Sequence, residues 1–81
     1  MNKRYADGQI PAVASSAREE VAAQVSRARK EAHLTQQNLA DLTGTKKSNI
    51  SRMESGRYNP SLDFLVKVAS SMGKELSVKL Q

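Results

Sequence analysis

With 81 residues and a formal net charge of +5, this chain has room for one domain with a modest core. Its charge favours an anionic partner without separating nucleic acid from a membrane surface. It holds no cysteine and one histidine, which excludes disulfides, thiolate metal sites and histidine-based metal clusters, and with no glycine-rich phosphate loop and too little chain for a sizeable pocket it reads as a non-enzyme without a cofactor.

Asn2-Lys3-Arg4 followed by AVASSA has the outline of a signal peptide. The segment between them, however, carries Asp7, Gly8 and Pro11 where an apolar run belongs. No stretch approaches the roughly 18 apolar residues of a membrane span, so the expected location is the cytoplasm, with no membrane partner. Residues 1–15 show neither helical nor strand period and read as a flexible basic arm. A folded domain is expected over 16–74 and a separate terminal segment over 75–81.

Ser16 and Glu19 have the spacing of a capping box. Val21, Val25, Ala28 and Ala32 then recur on one stripe, which predicts a helix from about Ala17 to His33. Arg29 lies beside this stripe. A half-buried arginine needs a carboxylate, and Glu54 is the one under consideration. His33 reads as a surface residue closing the helix, where the dipole favours its charged form. Thr35 caps a second helix from Gln36 to about Thr43, with Leu39, Ala40 and in one reading Leu42 turned inward. Gly44 ends it at a turn that needs positive φ. A third helix runs from near Lys46 to just before Gly56, anchored by Ile50 and Met53 alone. Its remaining positions, Lys46, Lys47, Ser48, Asn49, Ser51 and Arg52, are basic or polar. A helix held by two residues has its other faces free for something besides core.

Ser61 caps a fourth helix, with Leu62, Leu65, Val68, Ala69 and Met72 as its buried stripe and Phe64 and Val66 flanking. Beyond Gly73 the period changes to two: Leu76, Val78 and Leu80 alternate with polar residues, which predicts a β-strand. A lone strand has no ladder partner within a helical chain. The expectation is therefore a homodimer through an antiparallel ribbon made by Leu76, Val78 and Leu80 of two copies. The alternative is an extended tail packed on its own domain.

The stretch 46–57 holds Lys46, Lys47, Arg52 and Arg57 against Glu54, a net +3. Such a face, with Asn49 and Ser51 counted among its candidate DNA-binding residues, gains affinity for double-stranded DNA by releasing condensed counterions. Lys47 and Arg52 are long donors suited to guanine O6 and N7, and Ser48 can donate or accept. Gln36 and Gln37 sit at a helix N-terminus, where amides and dipole favour a phosphate.

Leu34-Thr35-Gln36, Leu39-Ala40, Gly44, Ile50-Ser51, Glu54, Gly56 and Asn59-Pro60-Ser61-Leu62 stand at the spacings of a known pattern. On these residues the chain resembles the lambda-repressor-like, Cro/C1-type (XRE) helix-turn-helix family over about 60 residues. The resemblance implies an all-α bundle of four to five helices with the third as recognition helix. It also implies that Gln36, Lys47, Ser48 and Arg52 contact bases or phosphates, that Lys46, Arg57 and Tyr58 contact the backbone, and that Arg29 and Glu54 form a buried ion pair. Two positions depart from it. Thr45 stands where the family usually has an apolar residue such as valine, and its hydroxyl needs a partner if buried. The ending KELSVKL replaces a fifth helix and resembles that of HigA- and HipB-type antitoxins, where a final strand helps dimerisation.

The function expected from these readings is a sequence-specific repressor reading an inverted-repeat operator as a homodimer. Its two recognition helices would lie about 34 Å apart. By resemblance, size and the N-terminal arm, it is expected to be the antitoxin of a toxin–antitoxin operon, with a cognate toxin as second partner. A stand-alone repressor of phage or restriction-modification type is the alternative in the same class. From another class, the same fold would serve as a protein-interaction or coactivator module.

Overall fold

The computed structural model describes residues 6–81; Lys3 and Arg4 of the expected arm lie outside the described residues. A short 3-10 turn over Asp7–Gln9 leads into α1 (Ile10–Glu31), followed by α2 (Gln36–Thr43), α3 (Lys47–Glu54) and α4 (Leu62–Ser71).

The first helix starts well before the expected position. Pro11 stands in its first turn, where the missing N–H has no intrahelical partner to lose and the fixed φ suits a helix. Alanine-rich sequence then carries the helix onward. Ser16 and Glu19 are exposed residues of the helix interior, so their capping-box spacing marks no helix start. Gln9 supplies the local stop instead: its side-chain oxygen accepts the Ala6 N–H at 2.8 Å, and its own N–H donates to the Ala6 carbonyl at 2.9 Å. At the other end the Leu34 N–H donates to the Arg29 carbonyl and the His33 N–H to that of Lys30. This crossed pair closes helices around a left-handed residue, here His33 at φ 57°. Ala32, expected in the buried stripe, is exposed because the helix ends at Glu31.

Leu39 and Ala40 of α2, Ile50 and Met53 of α3, and Leu65 and Val68 of α4 form the core. Val21 and Val25 of α1 pack against it together with Tyr58, Phe64 and Met72. Ala22 is the one fully buried residue of α1, and its small side chain sets a close approach. Thr43 is buried as well; its hydroxyl donates to the Leu39 carbonyl at 2.8 Å, so no polar atom there goes unpaired. Two expected core positions face outward: Leu42 is 55 % exposed and Leu62 61 %. Leu39, Ala40 and Thr43 already occupy the inner face of the two-turn α2, which leaves Leu42 on the outer one. Each fully buried Leu39, Ile50, Met53 or Val68 contributes about 1.5–3 kcal/mol, a core small enough that single polar ties weigh heavily.

Gly56 decides how α3 leaves the core. It is buried, with φ at 80°, a conformation that costs an L side chain about 1–2 kcal/mol. A Cβ there would lie 3.0 Å from the Glu19 Cγ and 3.3 Å from the Glu19 Cα, so the chain passes directly over the backbone of α1. Gly56→Ala is expected to lower stability by about 2 kcal/mol or more, backbone strain and crowding acting together. Urea unfolding of the two proteins checks this, and equal midpoints would show that α1 and the loop move apart freely.

The expected β-strand over 75–81 is absent, and among the described residues there is no strand at all. The fold is all-helical. Alternation gives a segment two faces, but a strand exists only through ladder hydrogen bonds, and no other extended segment of the described chain meets it. The tail instead lies along its own domain: Leu76, Ser77 and Val78 line a groove with Val21 of α1 and Leu62 and Leu65 of α4. Val78 and Leu80 remain 65 % and 101 % exposed, and Leu76 36 %.

Candidate nucleic-acid interface

The α2–turn–α3 unit is built from local chemistry. The Thr35 hydroxyl accepts the Asn38 N–H at 3.0 Å while the Asn38 side-chain oxygen accepts the Thr35 N–H at 2.9 Å, so two donors at the start of α2 are satisfied reciprocally. Gly44, at φ 69°, turns the chain; the Thr45 N–H then reaches back to the Ala40 carbonyl at 2.9 Å. The Ser61 hydroxyl caps α4 by accepting the Phe64 N–H. By contrast, the Lys46 side chain forms no cap at the start of α3; the Asn49 N–H donates instead to the Lys46 carbonyl at 3.0 Å.

Ile50 and Met53 anchor α3 with exposures of 0 % and 1 %. Lys46, Lys47, Ser48, Ser51, Arg52 and Arg57 are all exposed, and Asn49 and Tyr58 are half-buried at the edge of the same face. Arg52 donates from Nη2 to the Asn49 Oδ1 at 2.8 Å and lies over the Tyr58 ring, 5.6 Å from its centroid. The Thr45 hydroxyl, at the position that departs from the pattern, has a partner: it accepts from the Asn49 amide nitrogen at 2.7 Å.

Arg29 and Glu54 meet in a two-pronged pair. The Arg29 Nε donates to the Glu54 Oε2 at 2.7 Å and Nη2 to Oε1 at 2.9 Å, while Nη1 reaches the Leu34 carbonyl at 2.8 Å. Their side chains are 11 % and 6 % exposed. Burial pushes the Glu54 carboxyl up, but hydrogen bonds from Arg29 and Gln36, the Arg29 charge and the Ser26 hydroxyl outweigh it and hold the group below its ordinary value. The hydrogen bond to Glu54 in turn raises the Arg29 guanidinium against the cost of its burial. The Glu54 carboxylate thereby ties the end of α3 to the end of α1 and the start of α2, and Arg29 adds the loop after α1. Glu54 takes no part in the outer surface, so the exposed balance of 46–57 is more positive than its formal charge.

The two glutamines part company. Gln37 is exposed and donates to the Asp41 carboxylate at 2.8 Å along α2. Gln36 is half-buried, its amide nitrogen directed at the Glu54 Oε1 at 3.2 Å. The inward turn of Gln36 was not legible from its place at a helix start. The grouping of Thr45, Asn49, Arg52 and Tyr58 had a partial signal, since Asn49 and Arg52 fall three apart on one face of α3, with Thr45 in the turn just before it. Tyr58 lies beyond the helix, and only the loop's path brings it in.

Two short helices crossing at a glycine turn, with the second presenting a basic face, define a helix-turn-helix protein. A family model described as helix-turn-helix matches residues 25–79, and the chain belongs to this Cro/C1-type family. It is 43 % identical over 47 residues to an uncharacterised HTH-type transcriptional regulator of Methanothermobacter thermautotrophicus, covering 58 % of this chain and 68 % of that one. A second uncharacterised HTH-type transcriptional regulator, from Haemophilus influenzae, is 38 % identical over 50 residues, covering 62 % of this chain and 51 % of its own length. Among solved structures, a chain of a toxin–antitoxin module from Streptococcus pneumoniae superposes with a TM-score of 0.65 at 31 % identity, over 96 % of this chain and 84 % of that one. Among the described residues, no helix is long and apolar enough to cross a membrane.

Proposed function

We propose that this protein is a sequence-specific DNA-binding repressor that acts as a homodimer on an inverted repeat, and that it is the antitoxin of a toxin–antitoxin pair repressing its own operon. The observation that carries the DNA-binding reading is the outer face of α3. Two buried residues and the Glu54 tie hold the helix rigidly, while Lys46, Lys47, Ser48, Ser51 and Arg52 all face solvent. A positively charged helix fixed on a small domain is the geometry that enters a major groove. Lys46, Arg57 and the Gln37 end of α2 suit phosphates; Lys47, Ser48 and Arg52 suit base edges.

The antitoxin reading draws support from the structural likeness to the Streptococcus pneumoniae module. That likeness spans 96 % of the chain, so it takes in most of α1, whereas the family model begins only at residue 25. On this additional stretch Ile10 is 48 % and Val13 36 % exposed, apolar side chains available to a protein partner. The apolar side chains of Leu62, Leu76 and Val78, exposed along one groove of the domain, together with the exposed Leu80, are the surface on which two copies would join.

Duplexes selected from a random pool, measured over a salt series, test the DNA reading. The expected result is an inverted repeat bound at least about 1,000-fold more tightly than random duplex, the low end of specific recognition, with affinity falling steeply as salt rises. Equal affinity for selected and random duplex refutes specific repression. Co-expression with the product of the adjacent reading frame decides the antitoxin role: a stable complex supports it, and a free, unaltered partner refutes it.

A further inference from the structure

Arg52 is exposed, yet it is held from two sides. The Tyr58 ring lies beneath its guanidinium at 5.6 Å, and Tyr58 is itself packed against the core. On the other side Nη2 donates to the Asn49 Oδ1 at 2.8 Å, and the Asn49 amide nitrogen donates to the Thr45 hydroxyl at 2.7 Å. The direction of this relay is fixed by chemistry. A guanidinium has only donors, so Asn49 must turn its carbonyl oxygen to Arg52 and its NH₂ to Thr45. Thr45 in turn is anchored through its own N–H to the last turn of α2. An arginine left to swing samples many rotamers, and fixing one of them on binding costs conformational entropy. One that is already placed loses less freedom on binding and presents its fork in one orientation.

We propose that Thr45, Asn49 and Tyr58 are positioning residues that hold Arg52 for base reading, so that they act on sequence discrimination through Arg52. The proposal rests on the DNA-binding reading above. It also assigns a purpose to Thr45: valine at this position would offer Asn49 no acceptor, leaving the amide free to rotate and Arg52 without its second support.

The test compares wild type, Tyr58→Leu, Tyr58→Phe and Thr45→Val. The readout is the ratio of affinities for the selected and random duplexes, each with its salt slope. Tyr58→Leu and Thr45→Val are each expected to lower the ratio about two- to fivefold, the range set by an exposed cation–π contact or one neutral hydrogen bond. Tyr58→Phe, which keeps the ring face, should restore it, and the salt slopes should stay the same, since no cationic side chain is removed. In the free protein, the Arg52 side-chain protons should be shifted upfield by the Tyr58 ring, and Tyr58→Leu should abolish that shift. If Tyr58→Leu fails to fold, the near-isosteric Thr45→Val decides alone. An unchanged ratio in the folded variants, a uniform loss for all duplexes, or the absence of the upfield shift in wild type overturns the proposal. A wild-type protein without preference for any selected duplex instead overturns the DNA reading on which it rests.

Discussion

Replacing Arg29 by methionine is expected to cost about 3–5 kcal/mol, because it strands the Glu54 carboxylate in a site only 6 % exposed. A domain of this size has a total stability of about 4–12 kcal/mol, so the loss removes about a quarter or more of it and should move the urea midpoint far down. The penalty comes less from the lost attraction than from the uncompensated charge that remains. Arg29→Met together with Glu54→Leu removes both charges, and this double variant should be more stable than either single one, with a strongly non-additive cycle. Urea unfolding of the four proteins measures this; additive single losses would mean that the pair is not coupled as its 2.7 and 2.9 Å contacts require. The same pair sets an acid limb. The Glu54 carboxyl titrates lower in the folded than in the unfolded chain, so its contribution is fully present above the ordinary glutamate value of about 4.3 and is lost as pH falls through the lower, folded value. The native unfolding midpoint should drop across that window more steeply than that of the double variant.

Arg52→Ala is expected to cost about 1–3 kcal/mol on the selected duplex and to relax the preference at one base position, the signature of a lost base contact. Lys46→Ala should weaken selected and random duplexes alike and reduce the magnitude of the salt slope by about one counterion. Lys46 and Arg52 flank one exposed face and carry the same charge, so charge alone does not separate them. The proposed roles rest on placement: Lys46 stands at the start of α3 with its side chain uncommitted to a cap, while Arg52 is braced by Asn49 and Tyr58. Binding measured against single-base variants of the selected duplex distinguishes the two roles. A uniform loss for Arg52→Ala would make it a phosphate contact.

Local chemistry determined much of this protein before any packing was considered. The bounds of α2, its Thr35 cap, the Gly44 turn, the two anchors of α3 and the Ser61 cap of α4 are all short-range features, in which residues three or four apart satisfy one another. The Arg29–Glu54 pair was also legible, since a half-buried arginine demands a carboxylate and the family pattern marks where one stands. Other features required the tertiary structure, because they depend on what neighbours supply. Pro11 reads locally as a breaker, but in a first turn it has nothing to break, and α1 extends back to Ile10. Leu42 and Leu62 have core-like chemistry on surfaces that other residues already fill. Leu76, Val78 and Leu80 alternate like a strand, yet alternation supplies no ladder partner, and the tail lies along α1 and α4 without one. Gln36 was placed by its position at a helix start, but the Glu54 carboxylate brought in by α3 turns its amide inward. The donors of α3 were written in the sequence; which of them are braced, tied down or free was decided only when the loop after Gly56 carried Tyr58 beneath Arg52.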